Sequence, residues 1–239
     1  MIFTMLLKKR KMGIMSDNLV DIVKLVIKQD FHLVAISNKN DLTLTIKEEH
    51  PDAKCKFVTI KLKKSIDYFG FSLHKDKGQG NNDPVYPFFN PQCKGICSKD
   101  DGILFLKKSN KVYVLLIKMK STNTEGYLQQ LKAAKSFVDF VLQRIKIFNN
   151  QINIKVEFRG LLFSCRQIPN EGTTKKQKLT FEDRNGLLVS ENSGNNTYYI
   201  QQFLEKIDQI LAKEKTQKKR FLVSVCSFNQ VDTIKKVVR

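Results

Sequence analysis

The sequence predicts a mixed α/β fold, in which a mixed β-sheet is flanked by helices, as a single domain over residues 1–239. Three observations predict it. Apolar runs of strand length cluster between residues 42 and 119, two longer segments repeat apolar residues at helical spacing, and a strand-like run follows each of those segments. Apolar residues make up 41% of the chain and include 17 Phe, enough to fill a core.

Ser16 is the expected N-cap of a first helix over Asp17 to Gln29, with Leu19, Val23, Val26 and Ile27 on one face. Leu42 to Ile46 and Phe57 to Leu62 alternate as strands do, and Tyr68 to Leu73 is the expected hairpin partner of the latter. Residues 75–100 form a long loop, rich in Gly, Asn and Pro up to Pro91, and loops of that length tend to be functional. Gly102 to Leu106 and Lys111 to Met119 are the most apolar pair of strands. Their nearly unbroken apolar character predicts burial on both faces, at the centre of a sheet. A long helix is predicted from Glu125 to Phe148, with Thr124 as its N-cap and Leu128, Leu131, Val138, Val141, Leu142, Ile145 and Phe148 along one stripe. Ile152 to Cys165 reads as a strand bent at Gly160, residues 166–185 as a polar loop, and Gly186 to Ser190 as a short strand. Thr197 to Lys213 reads as a second amphipathic helix and Phe221 to Cys226 as a last strand.

Lys and Arg number 42 against 23 Asp and Glu, a formal charge of +19 that attracts polyanions over long range. A lysine-favouring genome is the bland explanation of the same excess. No basic amphipathic helix stands out, so an anionic membrane surface is the weaker partner. No apolar stretch approaches the roughly 20 residues that span a bilayer. Five irregularly placed cysteines (Cys55, Cys93, Cys97, Cys165 and Cys226) suit a reducing, cytoplasmic compartment better than a disulfide framework. Residues 1–15 place an apolar run before Lys8-Lys9-Arg10-Lys11, the reverse of a signal peptide, and read as a tail.

The chemistry concentrates in Ser98 to Ser121. A two-residue turn at Ser109-Asn110 places Asp101 opposite Lys118, and Lys120 shares the face of Lys118 because strand side chains alternate. A one-residue slip would send Asp101 to the other face. Two lysines closing an apolar strand require carboxylates, phosphates or water as partners, or else mark its solvated end.

A strand that begins with Asp, a turn, and an apolar strand ending in acid-any-Lys resemble the core of the PD-(D/E)XK nucleases. The resemblance covers about Lys99 to Ile145. It implies a restriction-endonuclease-like fold and Mg²⁺- or Mn²⁺-dependent hydrolysis of DNA, with RNA the less expected substrate. It further implies service in restriction or defence, as a homodimer or in a larger complex. By the same resemblance Asp101 ligates the metal, the acid at position 118 is its second ligand, and Lys120 activates water or stabilises the developing charge. Gln129 or Gln130, in the first turns of the following helix, stands near the site, and Glu48 or Glu49 supplies an upstream acid.

The sequence departs from the pattern at one decisive place, reading Ile117-Lys118-Met119-Lys120 where Ile-Glu-Met-Lys is expected. An ammonium cannot ligate Mg²⁺ and repels it, so the expected outcome is a Lys118–Asp101 ion pair in the metal's place. Three readings stand: a substitution of Glu by Lys, which the otherwise intact surroundings favour; a natural pseudoenzyme that binds nucleic acid without cutting it; or a migrated acid, with Glu125 nearest.

Other constellations carry less. Cys93-x-x-x-Cys97 with His74 lacks a fourth zinc ligand, and Gly78-x-Gly80 precedes no helix. The basic runs at Lys61 to Lys64, Lys175-Lys176-x-Lys178, Lys213 to Arg220 and Ile234 to Arg239 are ordinary solvated surface taken singly. Beside a nuclease hairpin, Lys175, Lys176 and Lys178 suggest a groove that neutralises phosphates.

Overall fold

The structure is a computed structural model and describes residues 18–48, 51–73, 92–93, 99–148, 155–165, 179–210, 212 and 216. The chain divides into two compact units, Met1–Tyr198 and Tyr199–Arg239. Strand and helix chemistry together give a mixed α+β architecture with two sheets.

Helix α1 is Leu19–Val26. Its N-cap is Asn18, whose side chain accepts the Val20 N–H while Asp21 sits in the positively polarised first turn; the expected cap, Ser16, lies outside the described residues. A single 3₁₀ turn, Gln29–Phe31, leads to β1 (Ala35–Ser37), β2 (Asp41–Lys47) and β3 (Phe57–Lys63), with β2 antiparallel to both β1 and β3. Strands β2 and β3 bury Leu44, Ile46, Val58, Ile60 and Leu62 on one face, as their alternation requires. With β10 (Asn196–Tyr199) they complete a four-stranded sheet in the order β1-β2-β3-β10.

The second sheet has six strands in the order β4-β5-β6-β7-β9-β8. These are β4 (Asp67–Phe71), β5 (Gly102–Lys108), β6 (Lys111–Lys120), β7 (Val156–Ser164), β8 (Glu182–Arg184) and β9 (Leu187–Ser193). Strands β4, β5 and β6 form an antiparallel meander, and β6, β7 and β9 run parallel to one another. The expected pairing of Tyr68 to Leu73 with the Phe57 strand does not form. Strand β4 pairs with β5 instead, because Phe69 and Phe71 bury beside Phe105 and Ile103. Strand β8 also falls inside the segment expected to be loop. Asn185 and Gly186, both at positive φ, turn it back onto β9 as an Asn-Gly hairpin.

Helix α2 (Tyr127–Phe148) follows β6 and supplies the crossover that a parallel β6–β7 pair needs. Its start departs from expectation. Gly126 takes φ 72, and the Asn123 side chain, rather than Thr124, accepts the Glu125 N–H. Leu131, Ala134, Val138, Val141, Leu142 and Ile145 bury its inner stripe, joining Leu19, Val20 and Val23 of α1 over Ile103, Phe105, Val114 and Leu116. On the opposite face of the sheet, Gly102 lies against Ile46 and Leu33. Strands β5 and β6 are thus covered on both sides, and Ile103 to Leu106 and Val112 to Met119 are buried, as their apolar runs predict. Gly160, read as a bend in β7, marks a close approach: a Cβ there would meet Leu131 Cδ1 at 2.9 Å and Val189 Cγ2 at 3.0 Å.

In the second unit, residues 200–210 are helical, with Ile200, Phe203, Leu204 and Ile207 buried at helical spacing. The expected start at Thr197 is instead strand β10. The expected strand Phe221 to Cys226 lies outside the described residues.

Candidate functional site

The β5–β6 hairpin has the register expected from its sequence, with Gly102 opposite Ile117 and Lys108 opposite Lys111 around the Ser109-Asn110 turn. Asp101 consequently meets Lys118. Lys118 Nζ donates to Asp101 Oδ1 at 3.0 Å and to the Lys99 carbonyl at 3.1 Å, while Asp101 Oδ2 accepts the Met119 N–H. Both side chains are buried, so this is an ion pair in a poorly screened setting.

The pair sits at the C-terminal end of β6, where β7 and β9 also end. Ligands of sheets with parallel strands commonly bind outside such carboxyl ends. Side chains of laterally paired residues share a face, which produces two rows across the sheet. One row is Lys118, Leu162 and Glu191; the next is Lys120, Ser164 and Ser193. Lys120 is partly buried, and among the described residues no carboxylate pairs with it. Its pKa is lowered, chiefly by burial and next by the Lys118 charge, with Asp101 opposing. Ser164 beside it is 0% exposed, and its hydroxyl has no hydrogen-bond partner among the described residues.

Asp100 is the other unusual group. It is 1% exposed, and neither carboxylate oxygen has a hydrogen-bond partner among the described residues. Burial pushes its pKa well above the ordinary value, Lys118 pulls it down, and Asp101 adds to the rise. With Asp101 bonded to Lys118, Lys120 is the cation of this corner that no carboxylate pairs among the described residues, and Glu191 stands in the neighbouring row.

The remaining expected residues distribute unevenly. Gln130 is partly buried in the first turn of α2, with its Oε1 buried and without a partner among the described residues, whereas Gln129 is exposed. Leu131, the next residue, packs at Gly160 of β7, which brings this turn over the strands that carry the site. Glu125, the nearest alternative acid, is exposed, and Glu48 lies at the end of β2. Glu49, Lys175, Lys176, Lys178, His74 and Cys97 lie outside the described residues; Cys93 is exposed.

As the chain stands, these residues do not fit a divalent cation. Asp101 has both oxygens engaged, an ammonium stands 3.0 Å from one of them, and among the described residues no three His, Cys, Asp or Glu side chains gather to hold a metal. The arrangement can hold an anionic oxygen at Lys120 and Ser164. Glu191, Ser164 and Ser193 were not anticipated from sequence, because strand β9 and its parallel register depend on tertiary pairing. The only local signal was the polar Ser190-Glu191-Asn192-Ser193 ending of an apolar run.

Compared with protein-family models, curated proteins and solved structures, the chain matches none.

Proposed function

We propose that this chain is a nuclease scaffold of the PD-(D/E)XK kind, directed at DNA and restriction-endonuclease-like in fold, that Lys118 holds silent. One observation carries the reading: a buried hairpin presents Asp101, residue 118 and Lys120 on one face, with Lys118 bonded to Asp101 where the resemblance calls for a metal. The meander β4-β5-β6, the crossover helix α2 and the parallel return in β7 support it. So do the basic balance of the chain and the phosphate-compatible corner at Lys120 and Ser164. The reading carries Mg²⁺ or Mn²⁺ as the cofactor of the restored form, the cytoplasm as its compartment, and restriction or defence as its setting. Among the described residues no helix is long and apolar enough to cross a membrane.

The test is Lys118→Glu. The substitution gathers carboxylates at positions 100, 101 and 118, which repel one another unless a divalent cation or protons join them. The variant should melt several degrees higher in millimolar Mg²⁺ than in chelator, and should cut supercoiled plasmid only with the metal, whereas the unaltered chain does neither. Lys118→Glu/Lys120→Ala should keep the Mg²⁺ stabilisation and lose the cutting.

A second reading is a nucleic-acid-binding subunit without chemistry, favoured by a buried ion pair in which Lys118 already neutralises Asp101. A Lys118→Glu variant that gains neither Mg²⁺ stabilisation nor cleavage, while the unaltered chain binds duplex DNA, selects it over the nuclease.

A further inference from the structure

Two thiols lie together just beyond the end of β7. Cys55, in the segment leading into β3, is buried, and Cys165, immediately after β7, is partly exposed. Both sulfurs crowd Gly194 in the β9–β10 turn: a Cβ there would stand 1.9 Å from Cys55 Sγ and 2.9 Å from Cys165 Sγ. The sulfurs can therefore be no farther apart than those two lengths laid end to end, which leaves the two thiols side by side. A glycine between them keeps that approach open. The rest of each sulfur's surroundings is fixed by backbone and amide groups. Cys55 faces the Phe163 carbonyl, while Cys165 faces the Lys54 carbonyl and receives the Asn195 side-chain amide at 3.4 Å.

We propose that Cys55 and Cys165 form a reversible dithiol–disulfide site that takes hydroperoxides as its oxidant. The geometry divides the roles. Cys165 meets solvent and receives the oxidant; Cys55, sealed behind it, resolves. Burial first, then the neighbouring Cys165, pushes the Cys55 thiol up to about 12, so Cys55 stays protonated and does not meet the oxidant as a thiolate. In the first step the Cys165 sulfur bonds to one peroxide oxygen, the O–O bond breaks, and the alcohol leaves with the thiol proton. In the second, the Cys55 sulfur bonds to the Cys165 sulfur, the S–O bond of the sulfenic acid breaks, and the departing hydroxide takes the Cys55 proton as water. Two thiols and one hydroperoxide thus become one disulfide, one alcohol and one water.

The bond would join segments that are distant in sequence, which favours a large effect on the unfolded chain. It would also reach the end of β6, because the Cys165 N–H donates to the carbonyls of Lys120 and Ser121. The inference stands apart from the nuclease reading and survives its failure.

The experiment treats the native full chain with tert-butyl hydroperoxide, alkylates the remaining thiols and maps peptides without reductant. The expected product joins the Cys55 and Cys165 peptides, has lost two hydrogens, reverts with dithiothreitol, and forms at least tenfold faster than in the urea-unfolded chain. It should raise Tm by roughly 5–15 °C. In Cys55→Ser, Cys165 should instead be trapped as a sulfenic acid by dimedone, which needs no disulfide to be read. The proposal fails if Cys55 and Cys165 remain alkylatable while Cys93, Cys97 or Cys226 oxidise, if the link forms only in urea, or if Cys165 proceeds to sulfinic acid with Cys55 present.

Discussion

Asp101 and Lys118 are each tolerable inside the protein only because of the other. Removing one partner of a buried pair leaves the other charge unpaired, which typically costs about 3–5 kcal/mol, while replacing both by apolar groups of similar volume is often neutral. Asp101→Ala, which also orphans the Met119 N–H, is expected to fall in that range in urea denaturation, and Asp101→Leu/Lys118→Met to recover most of the loss. A cost under about 1 kcal/mol for Asp101→Ala would mean that water reaches the pair and that it behaves as a surface ion pair. Asp100 makes the opposite prediction. Its folded pKa lies above the ordinary 3.8, so the folded state holds the proton more tightly than the unfolded one. Stability is therefore highest below the unfolded value and declines as pH rises toward the folded pKa. Asp100→Asn, which cannot ionise, should melt close to the parent at pH 3.5 and above it at pH 8. Parallel melting curves across that range would show that Asp100 is ionised without penalty.

At the scale of elements, the hairpin was legible and the sheet around it was not. The β5–β6 register followed from a turn-prone pair between two apolar runs, since one residue of slippage would have buried the wrong face of both strands. The partner of β4 was misread because local alternation says nothing about which strand lies alongside; the aromatic contacts of Phe69 and Phe71 with the α-helical side of the core decide it. β7 reaches β6, and β9 reaches β7, only through long crossovers, so Ser164 and Glu191 had no signature near the motif. Two substitutions probe these elements. Ser109 occupies φ 53, a left-handed conformation that costs an ordinary residue about 1–2 kcal/mol and Asn less. Ser109→Asn should therefore raise the unfolding free energy by up to about 1 kcal/mol, and no gain would show that the turn relaxes without it. Gly160→Ala would press a methyl against Leu131 and Val189, which join α2 and β9 to β7. It should lower stability by about 1–3 kcal/mol in the same assay; a neutral result would mean that α2 shifts freely over the sheet.

For the whole molecule, the deciding quantity is where a charge of +19 acts. If the excess is compositional background, duplex DNA binds weakly through many interchangeable lysines, and no single one matters. If the corner at the ends of β6 and β7 receives a phosphate, Lys120 differs from exposed lysines such as Lys24 and Lys28, because it is partly buried and pairs in register with Ser164, whose hydroxyl has no partner among the described residues. Counterion release separates the cases. Affinity falls linearly with salt on logarithmic axes, with a slope set by the number of phosphates neutralised, and 6–10 contacts lose roughly 10³–10⁵-fold between 50 and 200 mM salt. Fluorescence anisotropy with a short duplex should show a steep slope for the unaltered chain. Lys120→Gln should flatten it by about one contact and weaken binding, whereas Lys24→Gln and Lys28→Gln leave it in place. Equal effects from all three would assign the charge to background. A shallow slope for the parent would remove nucleic acid as the partner altogether, because a basic protein that neutralises phosphates must release the ions that neutralised them before.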